Sequence, residues 1–228
     1  MIGELYIVST PIGNLDDISK RAIDTLQFVD IIAAEDSRMI SRILKKYNLS
    51  KKIVSYNNYN EITKAARVIE FLKSGLNVAL VSNAGTPTIS DPGYRLVNQS
   101  ILERIKVVSI PGPCSVIAAL SISGLPTDKF YFEGFLPKKK GRLTRFDFLL
   151  TLDCTIVIFE SPYRVLKTLD NISEKLGNRV ISIIKEITKI HESVFYGYIN
   201  DIRKNFDRSK IKGEFIILVA KEDYTISE

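Results

Sequence analysis

The 228-residue chain has no tryptophan, one histidine, two methionines and two cysteines, and these shortages narrow its chemistry. Cys114 and Cys154 stand 40 residues apart, and with His191 as the lone imidazole they fit none of the usual zinc spacings, so no metal site is expected. Two distant cysteines are no disulfide framework either, which points to a reducing, cytoplasmic setting. His191 reads as a surface residue. The longest apolar runs, such as FIILVA at 215–220, fall well short of the roughly 20 residues that a membrane helix needs. No G-x-G occurs anywhere in the chain, and no G-x-x-x-x-G-K-[ST], so the fingerprints of dinucleotide and nucleoside-triphosphate binding are both missing. Negative charge is in deficit: 32 Lys and Arg against 26 Asp and Glu leave a net charge of +6 and a pI near 9.2. That balance suits a polyanionic partner, although solubility alone would also account for it.

What the chain does contain is alternation. LYIVST (5–10), IIAA (31–34), LNVALV (76–81) and VVSI (107–110) read as strands separated by helical patterns. Ile18, Ala22 and Leu26 share one helical face; Met39, Ile40, Ile43, Leu44 and Tyr47 form another stripe, which Asp36 or Ser37 can cap. A helix over 62–72 stops at Gly75, a good left-handed terminator. Near-continuous apolar strands indicate a mostly parallel sheet covered on both faces, whose ligands sit at the carboxyl ends of its strands. After Leu125-Pro126-Thr127 the pattern changes to FYFEGF, the basic loop LPKKKGR, and the strand candidates TIVIFE, RVISII, SVFYGYI and GEFIILVA with few helices among them. The expectation is an α/β protein: residues 1–115 as a parallel α/β domain with helices on both faces, and 116–228 as a mixed α+β domain.

Three loops follow strands and precede helices: Thr10-Pro11-Ile12-Gly13-Asn14, SNAGTPTISDPG (82–93) and Pro111-Gly112-Pro113-Cys114-Ser115. They should share one edge of the sheet. Small residues let a ligand approach the backbone, and prolines hold a loop in shape at little entropic cost. One such loop would be an ordinary turn; three in register point to a ligand. With no phosphate fingerprint and no basic side chain in them, the loops suit a cofactor that offers adenine, ribose and an amino-acid tail to backbone amides. S-adenosylmethionine fits that description.

The segments LYIVSTPIGNLDDISKRAI, AAEDSR, VALVSNAGTPTISDPGYRLV, SIPGPCSVIAALSISGLPTDKFYFEGFLPKK and GEFIILV resemble the tetrapyrrole methylase superfamily, specifically its ribosomal RNA small-subunit methyltransferase I branch. The likeness runs along nearly the whole chain and is most specific over Ile110–Lys139. It implies a two-domain fold, a homodimer, S-adenosylmethionine held in the cleft between the domains, and methylation of a cytidine ribose 2′-oxygen in the decoding region of 16S rRNA, free or in the small subunit. By motif position it implies cofactor contacts at Ile12, Ala84, Gly85, Thr86, Ile89, Cys114, Ser115, Glu160 and Ile187. Asn83, Cys114-Ser115 and Tyr163 depart from the residues usual in that branch. The same fold also serves C-methyltransferases of precorrin or uroporphyrinogen type, whose second loop has a Gly-Asp-Pro version where this chain has Gly85-Thr86-Pro87. A non-catalytic RNA- or cofactor-binding module is the third alternative.

Methyl transfer from a sulfonium is an in-line displacement in which alignment does most of the work, but a ribose hydroxyl benefits from a base within hydrogen-bond reach. Glu35, Asp36, Asp91, Glu160, Lys185 and Glu186 stand at expected strand ends, and from them Asp91, Glu186 and Asp36 are taken as the candidate catalytic carboxylates. Lys138, Lys139, Lys140 and Arg142, with Arg145 near, have no acid among them and follow an aromatic strand. They are the candidate RNA contacts, together with Arg38 and Arg164, which can equally pair with neighbouring carboxylates.

Overall fold

Apolar runs of four residues between amphipathic helices build the first half of the chain into a parallel sheet. A computed structural model describes residues 1–59, 61–206 and 211–226, and the chain divides into two units, Met1–Cys114 and Ser115–Glu228. In the first, β1 (Leu5–Val8), β2 (Ile31–Ala34), β3 (Lys52–Ser55), β4 (Val78–Val81) and β5 (Val107–Ile110) pair in the order β3-β2-β4-β1-β5, every pair parallel. Between them run α1 (Lys20–Phe28), α2 (Ser37–Lys46), α3 (Glu61–Lys73) and α4 (Tyr94–Leu102). The pleat explains the unbroken apolar strands. Ile32, Ala34, Ala79 and Val81 point to one face and pack with Ala22 and Leu26 of α1 and Ile40, Ile43 and Leu44 of α2. Ile31, Ala33, Val78 and Leu80 point to the other and pack with Ala65, Val68, Ile69 and Leu72 of α3 and Leu96 of α4.

Helix termini follow the local chemistry. Asp36, not Ser37, caps α2, its carboxylate accepting the Arg38 amide at 2.9 Å. After α3 the chain turns at Gly75, at φ 94°, whose amide donates to Leu72 O at 3.0 Å.

The second unit has α5 (Ser115–Ile122), β6 (Phe130–Phe135), α6 (Arg142–Leu150), β7 (Thr155–Glu160), α7 (Val165–Leu176), β8 (Val180–Lys185), β9 (Ser193–Tyr198), α8 (Ile199–Asn205) and β10 (Phe215–Val219). Its sheet runs β6-β7-β10-β8-β9, with β6 and β7 parallel and the other pairs antiparallel, so it is mixed as the sequence indicated. The core gathers Phe146 and Leu149 of α6, Val165, Leu169 and Ile172 of α7, and the inward residues of β7, β8 and β10. Among the described residues no helix is long and apolar enough to cross a membrane.

Candidate functional site

Because β4, β1 and β5 are adjacent and parallel, the three Gly-Pro loops that follow them leave the sheet at one edge, as the sequence indicated. Backbone and hydroxyl bonds lock them together. Thr10 and Gly85 exchange amide-to-carbonyl bonds at 2.9 and 3.0 Å. The hydroxyls of Ser9 and Thr86 lie 3.0 Å apart, and Thr86 donates on to Pro113 O at 3.2 Å, so one threonine links all three loops. Gly85 sits at φ 79°, where a Cβ would come within 3.3 Å of Ile12 Cγ2 and 3.8 Å of Pro113 O. Thr88 and Ser90, at φ 76° and 61°, hold backbone conformations rare for side-chain-bearing residues, and such outliers concentrate where structure serves a ligand. Ile12 is buried, while Ala84 and Ile89 are exposed and Thr86, Cys114 and Ser115 are half-buried.

A polar cluster adjoins these loops. The register Ala34↔Val81 sets Glu35, first residue after β2, beside Ser82, first after β4. Glu35 Oε2 and Asn83 Oδ1 are buried oxygens without a hydrogen-bond partner, an arrangement that is costly unless something supplies a donor or a positive charge. Asp91 returns to the same place. Burial pushes its carboxyl up to about 6, a hydrogen bond from Ser82 opposes the rise, and the charge of Glu35 adds to it. A group whose folded value is raised favours folding at low pH and costs stability as pH climbs through that value. Asp91→Asn should therefore stabilise the chain above pH 7 by up to about 3 kcal/mol and leave pH 4 stability nearly unchanged. Urea unfolding at both pH values measures this; an equal change at both would refute the assignment of the burden to Asp91.

Other sequence-selected carboxylates are engaged elsewhere. Asp36 is held down to about 2, chiefly by hydrogen bonds from the Arg38 side chain and then its amide, so it is a cap and a poor proton acceptor. Glu186, at φ 52°, accepts from Lys189 Nζ at 2.9 Å and from the Glu214 amide at 2.8 Å, and it packs where any side chain at Gly213 would stand. Its burial works upward, but the Lys189 and Glu214 bonds outweigh it and its pKa is lowered. That describes a loop anchor, not a poised base. Ile187 beside it is 9% exposed.

The basic segment also divides. Lys138, Lys139 and Lys140 are exposed, with no ion pair among the described residues. Arg142 is a correction: it is 5% exposed and bonds Thr168, Asn171 and Pro137 O, because it begins the stripe Arg142, Phe146, Leu149 that faces the core. Arg145 forks onto Glu133 and stacks on Phe148, its guanidinium 4.4 Å from the ring centre. Arg164 lies 2.7 Å from Glu160, and Arg38 forks onto Asp36, so both pair with carboxylates, the other option that the sequence allowed. Glu160 is 2% exposed, and its two oxygens accept from the Ser161 amide, Arg164 and the Thr168 hydroxyl. Sequence reasoning passed over Thr168 and Asn171. The available signal was a hydroxyl inside the buried stripe Val165, Thr168, Leu169, Ile172 of α7.

Comparison with known proteins gives a consistent result. The model of the tetrapyrrole (corrin/porphyrin) methylases matches residues 4–202. The chain is 42% identical over 222 residues to the ribosomal RNA small subunit methyltransferase I of Thermotoga maritima, covering 97% of this chain and 100% of that one. It is 45% identical over 221 residues to the protein of that name from Vibrio cholerae, covering 94% and 76%. Among solved structures, uroporphyrin-III C-methyl transferase from Thermus thermophilus complexed with S-adenosylhomocysteine is similar with a TM-score of 0.67 at 14% identity, covering 96% of this chain and 97% of that one, which is likeness of fold.

Proposed function

This chain belongs to the tetrapyrrole (corrin/porphyrin) methylase family, and from that premise we propose that it is an S-adenosylmethionine-dependent methyltransferase of small-subunit ribosomal RNA. Its acceptor is the 2′-oxygen of a cytidine ribose in the decoding region of 16S rRNA. The observation that carries the substrate class is the 42% identity, over 97% of the chain, with a relative named for that RNA.

The loops fit the donor. Ile12, Ala84, Gly85, Thr86, Ile89, Cys114 and Ser115 would hold it, with backbone amides and small side chains and no Lys or Arg in any of the three loops. When bound, the donor supplies a methyl group on a positively charged sulfur. Unpartnered Glu35 Oε2 supplies negative charge that favours a cation, and Asn83 Oδ1 offers an acceptor. The proline-stiffened loops, tied through Thr86, keep the reacting groups aligned at little entropic cost on binding. The Asp91 carboxylate accepts the proton that the ribose hydroxyl gives up, and its pKa, raised to about 6, makes it a stronger base than an ordinary carboxylate while leaving it ionised at neutral pH. Turnover should therefore rise with pH through about 6 and level off above 7.

Lys138, Lys139 and Lys140 bind RNA phosphates. Replacing all three with Glu should weaken RNA binding and flatten its salt dependence by about 0.7 unit of log–log slope for each single-strand phosphate that the lysines no longer neutralise, while donor binding survives. Titrations of an oligoribonucleotide across salt concentrations measure this, and an unchanged slope counts against the lysines as phosphate ligands. The function as a whole is tested by incubating the protein with methyl-labelled donor and either undermethylated small subunits or a uroporphyrinogen-type acceptor. Label is expected in the RNA alone; label in the tetrapyrrole alone would overturn the substrate class.

A further inference from the structure

Buried Arg142 and half-buried Arg164 converge on the exposed lysine stretch. Arg164 Nη1 donates to Leu136 O at 3.1 Å and Arg142 Nη1 to Pro137 O at 3.2 Å, the two carbonyls that immediately precede Lys138. The middle of the turn is tied too, since the Arg142 amide donates to Lys139 O at 3.3 Å. Beneath the turn both guanidiniums meet one carboxylate. Arg164 Nη2 lies 2.7 Å from Glu160 Oε1, while Arg142 Nη2 donates to Thr168 Oγ1 at 2.7 Å and that hydroxyl donates to Glu160 Oε2 at 2.6 Å. Asn171 Oδ1 accepts from Arg142 Nε at 3.0 Å and completes its orientation. Glu160 and Thr168 are 2% and 0% exposed, so the carboxylate and the hydroxyl at the centre of the hub are shielded from water, with half-buried Arg164 at its edge.

We infer that Glu160, Thr168, Arg142 and Arg164 form a clamp that presets the Lys138–Lys140 turn for an RNA backbone, making them positioning residues for RNA binding and not ligands of RNA or cofactor. Three adjacent ammonium groups repel one another, and without a scaffold the turn would have to be ordered each time a phosphate backbone arrives. Ordering it in advance lowers the entropic cost of association. A single buried carboxylate also offsets part of the positive charge that would otherwise accumulate under the lysines.

The inference rests on the assignment of Lys138–Lys140 to RNA, and the test separates the two. Thr168→Val keeps the shape of the side chain and removes the hydroxyl bridge; Thr168→Ser keeps the bridge. Binding of a fluorescent oligoribonucleotide covering the decoding region should weaken about tenfold in Thr168→Val, the effect of losing roughly 1.4 kcal/mol of preorganisation. Thr168→Ser should bind as the parent does, and donor affinity should stay constant in both. In the background where all three lysines are Glu, Thr168→Val should have no further effect on RNA affinity, which a general loss of structure would not reproduce. Should Thr168→Val fail to fold, Asn171→Ala carries the same comparison from a half-buried position. Parental RNA binding by a folded Thr168→Val chain, with the lysine dependence intact, would overturn the clamp alone. A Thr168→Val loss of the same size in the triple-Glu background would overturn it as well. Parental binding by the triple-Glu chain would overturn the lysine assignment and the clamp with it.

Discussion

Asp91→Asn should cut turnover about a hundredfold or more while leaving donor affinity within about twofold, because it removes a proton acceptor and leaves the loops that hold the donor. The carboxyl of Asp91 is the one sequence-selected candidate whose surroundings suit a base: it is half-buried, its pKa is raised to about 6, and it sits where β2 and β4 deliver Glu35 and Ser82. Asparagine keeps the shape and can still take the Ser82 hydrogen bond, so the loss reports proton acceptance and not packing. Two further signs should accompany it. The parent's rise in turnover through pH 6 should vanish in the variant, and the variant should be the more stable of the two at neutral pH, a trade of stability for function. Single-turnover rates with saturating donor and RNA provide the measurement. A variant with full turnover and a parental pH profile would remove Asp91 from the chemistry.

Gly85→Val should weaken donor binding at least about tenfold, since it combines backbone strain with a filled cradle. At φ 79° a β-branched residue is badly placed, and its Cβ would stand 3.3 Å from Ile12 Cγ2, in a loop that must also keep its paired bonds with Thr10. Gly85→Ala, with a single added carbon at the same place, should lose less, and Asp91→Asn should lose almost nothing. Isothermal titration with donor ranks the three. If the valine variant, still folded, bound donor as the parent does, the three-loop site would be misplaced.

Much of this was legible in the chain itself. Runs such as IIAA and VALV, apolar at every position, are the mark of strands covered on both faces, and the two core clusters of the first unit divide them residue by residue. The three loops announce themselves because Gly and Pro are there for backbone reasons that operate locally. Charged residues are harder, since sequence states their charge and not their partner. Arg142 lies in a basic run but also begins a core-facing stripe with Phe146 and Leu149, and the stripe prevails because Thr168, Asn171 and Pro137 O satisfy its donors. Asp36 and Asp91 both follow strands and look alike as letters. Arg38 two residues on ties the first down, whereas burial and a neighbouring carboxylate raise the second, and only the fold brings Glu35 to Asp91. The left-handed backbone at Glu186, which folds that carboxylate onto Lys189 and the Glu214 amide, has no sequence signal at all.

The most direct test of ribose methylation is the chemical form of the transferred methyl. A 2′-O-methyl removes the hydroxyl that alkaline cleavage requires, so RNA methylated by this protein with labelled donor, then digested in alkali, should release the label as an alkali-resistant dinucleotide with cytidine on its methylated side. Label recovered in ordinary mononucleotides would place the methyl on a base and contradict the account, even with small-subunit RNA as the substrate.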